Sequence, residues 1–110
     1  MNLKFGWDKA KAKNNCAKHG VSFDLAKGVF NDVFAIEFLD DRQDYGEERF
    51  VIIGMVDGHL LYVVYTERNE IIRMISARRA TKHEHEAYFQ QEPQGNSTDD
   101  AQRCGTRGIG

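Results

Sequence analysis

The chain has 110 residues, a net charge of −2 and a hydrophobic content of 41%, which suits one domain with a single modest core. A protein that coats nucleic acid non-specifically would be strongly basic, so the net charge argues against that class. No apolar run approaches the roughly 20 residues of a membrane span, and the first residues lack the apolar stretch of a secretory signal. We therefore expect a cytoplasmic protein, and two scattered cysteines, Cys16 and Cys104, fit a reducing compartment.

Charge is distributed unevenly along the chain. Residues 1–27 carry six lysines against two aspartates, a net charge of +4, and residues 68–82 carry four arginines and one lysine against one glutamate, again +4. Residues 32–48 carry seven acids against one arginine, a net charge of −6. Two basic segments and one acidic segment either fold into a focused positive cleft or neutralise each other.

The N-terminal third predicts a short edge strand followed by two helices. Residues 5–7 are a short apolar run. Asp8 stands at the N-cap position of a first helix, and Gly20 follows its last turn as a C′ glycine. Ser22 caps a second helix, in which apolar residues recur at helical spacing until residues 31–32.

The middle of the chain predicts strands. Alternating or β-branched and aromatic runs occupy residues 34–39, 49–56, 60–66 and 71–76. Asp57-Gly58 is a typical two-residue hairpin turn, and the polar residues 67–70 connect the last two strands as a second tight hairpin.

A third helix and a polar tail complete the prediction. Thr81 and Glu84 have the spacing of a capping box, and the helix extends to about Gln91 before Pro93. The order β-α-α-β-β-β-β-α predicts an α+β fold: a compact antiparallel sheet of four to five strands, with two N-terminal helices and one C-terminal helix. We assign residues 1–91 to this domain and predict that residues 92–110, which are almost devoid of apolar side chains, form a disordered tail.

Arginines are concentrated on and around the predicted strands. Arg49, Arg68, Arg73 and Arg78 are candidates to bind phosphate, because a guanidinium is a permanently charged fork and a strand holds it still. Arg73 and Arg78 are an odd number of residues apart and point to opposite faces of a regular strand, so they share a site only across a bulge or beyond the strand end. The alternative is that each arginine pairs with a glutamate on a solvated face.

Several segments together resemble one known family. The segments FGWDKAKAKNNCAKHGVSFDLAKGVF, DYGEERFVIIG, LLYVVYTERNEIIRMISARRAT and HEHEAYF are similar to those of the BrnT ribonuclease toxins, over roughly residues 3–89. The resemblance implies a RelE-like fold, RNA cleavage and a type II toxin–antitoxin pair. It also implies a ribbon-helix-helix antitoxin, BrnA, which neutralises the toxin and represses the operon. DNA would then be contacted only through the antitoxin, in a dimer or a heterotetramer.

RNA cleavage without a metal needs a base for the 2′-hydroxyl, an acid for the leaving 5′-oxygen and cations for the phosphorane. No metal site or cofactor is expected, because His83 and His85, two apart, lie on different faces of a helix. Arg68 and Arg78 occupy motif positions of the resemblance and are the leading catalytic candidates. Arg49 is a further one.

His19 and Glu48 are the candidates for proton transfer. His19 ends the first helix, where the helix dipole favours a protonated imidazole; the alternative is a helix cap that packs on the sheet. Glu47 or Glu48 could be a base held by Arg49, or part of the acidic loop. Lys18, beside His19, would stabilise charge if it is not simply solvated.

The remaining RNA-binding candidates are Arg73, Arg79 and Tyr65, whose ring would stack on a base or donate to a phosphate if it does not pack in the core. Two other functions fit the same residues: a module that binds RNA or an acidic protein without cleaving, and an inactive toxin kept as a co-repressor. Convergence of Arg68, Arg78 and a proton-transfer group on one phosphate favours catalysis, whereas arginines each paired with glutamate favour binding.

Overall fold

The computed structural model describes residues 3–42 and 46–90. The predicted tail at 92–110, Pro93 and Cys104 therefore lie outside the described residues. The five strands are β1 (Lys4–Gly6), β2 (Ile36–Asp40), β3 (Arg49–Val56), β4 (His59–Arg68) and β5 (Ile71–Arg79). The helices are α1 (Lys9–His19), α2 (Phe23–Ala26) with a 3₁₀ turn at Lys27–Asn31, and α3 (Lys82–Phe89).

The predicted α+β fold and element order are confirmed. The five strands form one sheet in the order β1-β5-β4-β3-β2. The sheet is mixed rather than wholly antiparallel, since β1 pairs with β5 in parallel, Lys4 opposite Ile71. The hairpins fix the direction of the other strands, but β1 reaches β5 from the far end of the sequence, so no local signal sets its direction.

Local capping explains where the helices begin. The Asp8 carboxylate accepts from the amides of Ala10 and Lys11 at 2.8 and 3.1 Å. Ser22 Oγ accepts from Leu25 N at 3.0 Å. The capping box predicted at the start of α3 is present. The predicted second helix is shorter in α form, because its second half tightens into the 3₁₀ turn.

The β3–β4 and β4–β5 connections are both hairpin turns of two residues. The predicted Asp57-Gly58 turn is confirmed, with φ of 49° and 80°. Asn69 and Glu70 adopt φ of 54° and 66°, so β4 extends to Arg68 and only two residues connect it to β5. Positive φ at both central residues suits a twisted two-residue hairpin.

Each face of the sheet supports its own core, and we name the faces by the helix that covers them. On the α1 face, Leu61, Val63 and Tyr65 of β4 pack with residues of α1 and α2. On the α3 face, Leu60, Tyr62 and Val64 pack with Tyr88 of α3. The side-chain period of two on β4 therefore decides which residues lie near which helix.

Candidate active site

A bulge in β5 aligns the arginines of that strand. Val64 pairs with Ser76 but Tyr65 pairs with Met74, so Ile75 is an extra residue on β5. Arg73 is therefore opposite Thr66 and Arg78 opposite Tyr62, and both lie on the α3 face. A bulge between Arg73 and Arg78 was one of the two conditions under which they could share a face, and this bulge is present.

Arg68 and Arg78 lie at opposite ends of that face. Arg78 is opposite Tyr62, whereas Arg68 is six positions further along β4, opposite Ile71. At about 3.3 Å per residue, their α-carbons are separated by about 20 Å along the strand. Two arginines so placed are too far apart to bind the same phosphate.

We use the name basic corner for four of the candidate residues: Arg78 and Arg79, which end β5, and Lys18 and His19, which end α1. Arg78 lies on the α3 face, whereas Arg79, opposite Leu61, lies on the α1 face together with α1. Asn15, a buried residue of α1, holds the helix on β5: its Nδ2 donates to Ala77 O at 2.9 Å and its Oδ1 accepts from Ala77 N at 3.0 Å. His19 is four residues beyond Asn15 on α1, and Arg79 is two residues beyond Ala77 on β5.

Arg78 is the most rigidly held member of the basic corner. Its Nη1 and Nη2 donate to the two oxygens of Glu84 at 2.9 and 2.8 Å, and its guanidinium lies over the Tyr62 ring at 3.9 Å. Nη1 also donates to Arg79 O at 3.1 Å. These contacts leave the Nε edge of the fork without a hydrogen bond to any described residue, so a second anion can bind there.

Glu84 has two roles at this corner. It accepts from Thr81 N at 2.8 Å to complete the capping box, and it fixes Arg78. Burial opposes its ionisation, but the hydrogen bonds from Arg78 and Thr81 outweigh burial and lower the pKa of Glu84. The hydrogen bonds that Arg78 donates to Glu84 in turn raise the pKa of Arg78, which is therefore fully charged.

The other members of the basic corner are more accessible. Gly20 ends α1 in the left-handed conformation, with φ of 70° and its N–H bonded to Cys16 O at 2.8 Å, so the chain turns away directly after His19. His19 is half-buried, and Lys18 and Arg79 are exposed. Within residues 3–42 and 46–90, Lys18 and Arg79 form no ion pair.

The opposite end of the sheet has a different character. An open cleft of about 670 Å³ lies beside the β4–β5 turn. Four glutamates and one arginine line this acidic cleft: Glu47, Glu48, Glu67, Glu70 and Arg68. Carboxylates outnumber guanidinium groups there, which disfavours a polyanion.

Glu47 pairs with the arginines at this end. Arg68 Nη2 donates to it at 2.8 Å and Arg49 Nε at 3.4 Å. The hydrogen bond from Arg68 is the main reason why the pKa of Glu47 is lowered, with Arg49 contributing. Glu48, the predicted base, is exposed, and its backbone oxygen accepts from Thr66 Oγ1 at 2.6 Å. The glutamate beside Arg49 is therefore Glu47 and not Glu48.

Arg73 lies between the two ends on the α3 face. It is directly opposite Thr66 and forms no ion pair with another residue in the described part of the chain. Arg49 directly precedes Phe50, the first residue of β3 that pairs with β4, and lies on the other side of Thr66. Three adjacent strands thus carry Arg49, Thr66 and Arg73 in one row.

Tyr65 belongs to the core of the α1 face. Only 7% of it is exposed, and its ring packs between Phe30 and Phe50. Its hydroxyl donates to Glu37, whose pKa is raised by burial and by the nearby charge of Glu67. The ring has no free face for an RNA base, so packing is the interpretation that the structure favours.

Two structural residues of the corner were not singled out from the sequence. Asn15 gave no signal, because a polar residue inside an exposed-looking helix is indistinguishable from a solvated one. Glu84 was identified only as a capping residue. Its acceptance of two hydrogen bonds from Arg78, six residues earlier, depends on the turn between β5 and α3.

Among the described residues, no three His, Cys, Asp or Glu side chains lie close enough together to hold a metal ion. No helix in the same ranges has the length and apolarity needed to cross a membrane.

Comparison with known proteins identifies the family of this chain. A search of curated proteins found no match. A family model described as "Ribonuclease toxin, BrnT, of type II toxin-antitoxin system" matches residues 7–84. The match spans α1 to the first turn of α3 and thus includes every residue of the basic corner. The chain therefore belongs to the BrnT family of ribonuclease toxins of type II toxin–antitoxin systems.

Proposed function

We propose that this chain is a metal-independent endoribonuclease whose active centre is the basic corner. The observation that supports the proposal is that Asn15 fastens α1 to β5, two elements about 60 residues apart in sequence that end in Lys18-His19 and Arg78-Arg79. Two guanidinium groups, one ammonium group and one imidazole match the needs of phosphodiester cleavage better than the acidic cleft does.

The reaction is transesterification within the RNA. The 2′-oxygen attacks the adjacent phosphorus, the bond from phosphorus to the 5′-oxygen breaks, and a 2′,3′-cyclic phosphate forms. His19 supplies one of the two proton transfers, at the 2′-hydroxyl or at the 5′-oxygen. Arg78 lies on the opposite face of the sheet from α1, so the proposal places the scissile phosphate at the end of β5, between the two faces. There Arg78 stabilises the phosphorane through the edge of its fork that Glu84 leaves open, and Lys18 and Arg79 hold neighbouring phosphates.

The other candidate residues contribute outside this centre. Arg73, on the α3 face and without an ion pair among the described residues, binds a flanking phosphate. Arg49, Arg68 and Glu48 lie near the acidic cleft and influence where the RNA chain leaves the sheet. The carboxylates beside them repel the phosphates of RNA, so the acidic cleft marks one edge of the RNA-binding surface.

The biological role follows from the family. The chain acts in the cytoplasm as the toxin of its pair and inhibits translation by cleaving RNA. A BrnA-like ribbon-helix-helix antitoxin neutralises it, in a dimeric or heterotetrameric complex that contacts DNA only through the antitoxin. Membership of the BrnT family supports these statements.

One observation favours a second candidate function. Arg49, Arg68 and Arg78 each pair with a glutamate, as expected for a module that binds RNA or an acidic partner without cleaving it. The two functions differ in whether RNA is broken.

The test is incubation of the purified, antitoxin-free protein with total RNA in excess EDTA, beside His19→Gln. We expect cleavage that leaves cyclic phosphate ends for the wild type, and a rate lower by about 10²-fold or more for the variant. Equal cleavage by both proteins would move the active centre away from His19. RNA binding without cleavage by the wild type would favour the binding module.

A further inference from the structure

The outer edge of β2 combines features of a docking site. β2 is the last strand of the sheet, so its outer side pairs with no other described strand. Phe38 and Leu39 are both 47% exposed, one on each face of the strand, and Val33 just before it is 88% exposed. A five-residue edge strand with exposed apolar side chains tends to pair with another chain unless a partner already covers it.

The opposite edge of the sheet is protected. β1 has only three residues and carries Lys4, and both brevity and lysine are devices that prevent edge pairing. The β1 edge has features that prevent pairing with another chain, whereas the longer, apolar β2 edge is suited to such pairing.

Charge around β2 specifies the partner. Residues 32–42 contain four acids against Arg42, a net charge of −3. Asp41 is exposed, and so is Glu37, although the Glu37 carboxylate also accepts from the Tyr65 hydroxyl. A second copy of this chain would oppose acid with acid, so the complementary occupant is a basic segment with apolar side chains.

The strand is held in place before any partner arrives. Asp32 accepts from Phe34 N at 2.9 Å, Met55 N at 2.8 Å and Tyr88 OH at 2.6 Å, so the entrance to β2 is tied to β3 and α3. Preorganisation of this kind reduces the entropy lost on binding.

We propose that the antitoxin binds by adding a strand to the β2 edge, with apolar side chains against Phe38 and Leu39 and with Lys or Arg against Glu37 and Asp41. The identity of the partner rests on the proposed toxin function. β2 is three strands from β5, about 14 Å, so this docking surface is separate from the basic corner.

The test uses the antitoxin encoded in the same operon, purified alone, and the full-length chain. Titration calorimetry without RNA compares wild type, Phe38→Lys, Asp41→Lys and the control Leu3→Lys, which alters a 49% exposed residue beside the β1 edge. We expect Phe38→Lys to raise the Kd about 100-fold, Asp41→Lys about 10-fold and Leu3→Lys less than about threefold. Equal effects of Phe38→Lys and Leu3→Lys would overturn the proposal.

Hydrogen exchange locates the contact independently. Amides of residues 36–40 should exchange more slowly in the complex than in the free chain. Unchanged exchange, or equal protection in the free chain because its own residues or a second copy cover the edge, would overturn the proposal.

RNA cleavage is measured in parallel. Wild type that binds through β2 but leaves RNA intact would refute the nuclease proposal alone, and cleavage with antitoxin binding elsewhere would refute the docking proposal alone.

Discussion

The basic corner and the acidic cleft contain the same kinds of side chain in different balance. At the cleft, one carboxylate, Glu47, serves both Arg68 and Arg49, and three further glutamates line the walls. At the corner, Glu84 pairs with a single arginine, Arg78, and also accepts from Thr81 N, while Lys18 and Arg79 form no ion pair with any described residue. Arginine on a strand is therefore not enough to indicate a phosphate site; the surplus of cations over nearby carboxylates decides.

Substitution of single arginines should give the largest difference in RNA cleavage between the basic corner and the acidic cleft. Arg78→Ala removes the fork that we place on the phosphorane, and kcat should fall about 10²- to 10³-fold. Arg68→Ala should reduce kcat/KM less than about 10-fold, because Arg68 is 59% exposed and contributes only distant charge. Cleavage of one defined RNA by both variants measures the ratio, and a larger effect of Arg68→Ala would invert our assignment.

The buried contacts by which Asn15 holds α1 on β5 should contribute to the stability of the whole domain. Asn15→Leu leaves Ala77 N–H and O and Val21 O without their buried partner, which should lower the free energy of unfolding by about 3 kcal/mol. Urea denaturation measures this change. Asn14→Leu, at the exposed neighbouring position, is the control and should change it by less than about 0.5 kcal/mol. Similar stabilities for the two variants would show that Asn15 does not hold α1 on β5.

Asp32 predicts a dependence of stability on pH. Burial opposes ionisation, but hydrogen bonds from Tyr88, Met55 and Phe34 outweigh it and lower the pKa of Asp32 below its ordinary 3.8. A lowered folded-state pKa contributes stability that is present above pH 3.8 and is lost as the pH falls through the lower folded value. Asp32→Asn should cost about 1 to 2 kcal/mol at pH 7.

The difference between wild type and Asp32→Asn should shrink below pH 3.8, as measured by thermal unfolding across pH. Asp24→Asn is the matched control, since this carboxylate is 78% exposed and, among the described residues, pairs only with Lys27. A difference that stays constant down to pH 2 would mean that Asp32 has no lowered pKa.

The smallest effect is expected for a buried hydroxyl at the cleft. Thr66→Val removes the hydrogen bond to Glu48 O and should cost about 1 kcal/mol of stability. The rate of RNA cleavage should change less than about threefold, because Thr66 lies outside the basic corner. A drop in rate beyond about 10-fold would bring the row of Arg49, Thr66 and Arg73 into the active centre.

Much of the fold could be predicted because its signals are local. Asp8, Ser22 and Thr81 mark helix starts through bonds to residues two or three positions away. The Asp57-Gly58 turn likewise fixes the β3–β4 hairpin. Because side chains alternate between the faces of a strand, the sequence also predicted that Arg73 and Arg78 need a bulge between them to share a face. The position of that bulge at Ile75 could not be predicted.

The arrangement of the site could not be predicted to the same degree, because it depends on contacts distant in sequence. Asn15 meets Ala77 across 62 residues, and β1 joins β5 from the other end of the chain. Tyr65 illustrates the limit at one residue. Its position on β4 suited either face, and only the pairing with β3 and β5 shows that it lies in the core.

The most direct test of the account is where RNA binds. Amide chemical shifts would be recorded while a short RNA, with a 2′-deoxy group at the cleavage position, is titrated into the full chain. The account predicts changes at residues 17–21 and 76–82, with little change at 46–48 and 67–70. Changes concentrated at 46–48 and 67–70 would contradict it, and the acidic cleft would replace the basic corner as the RNA site.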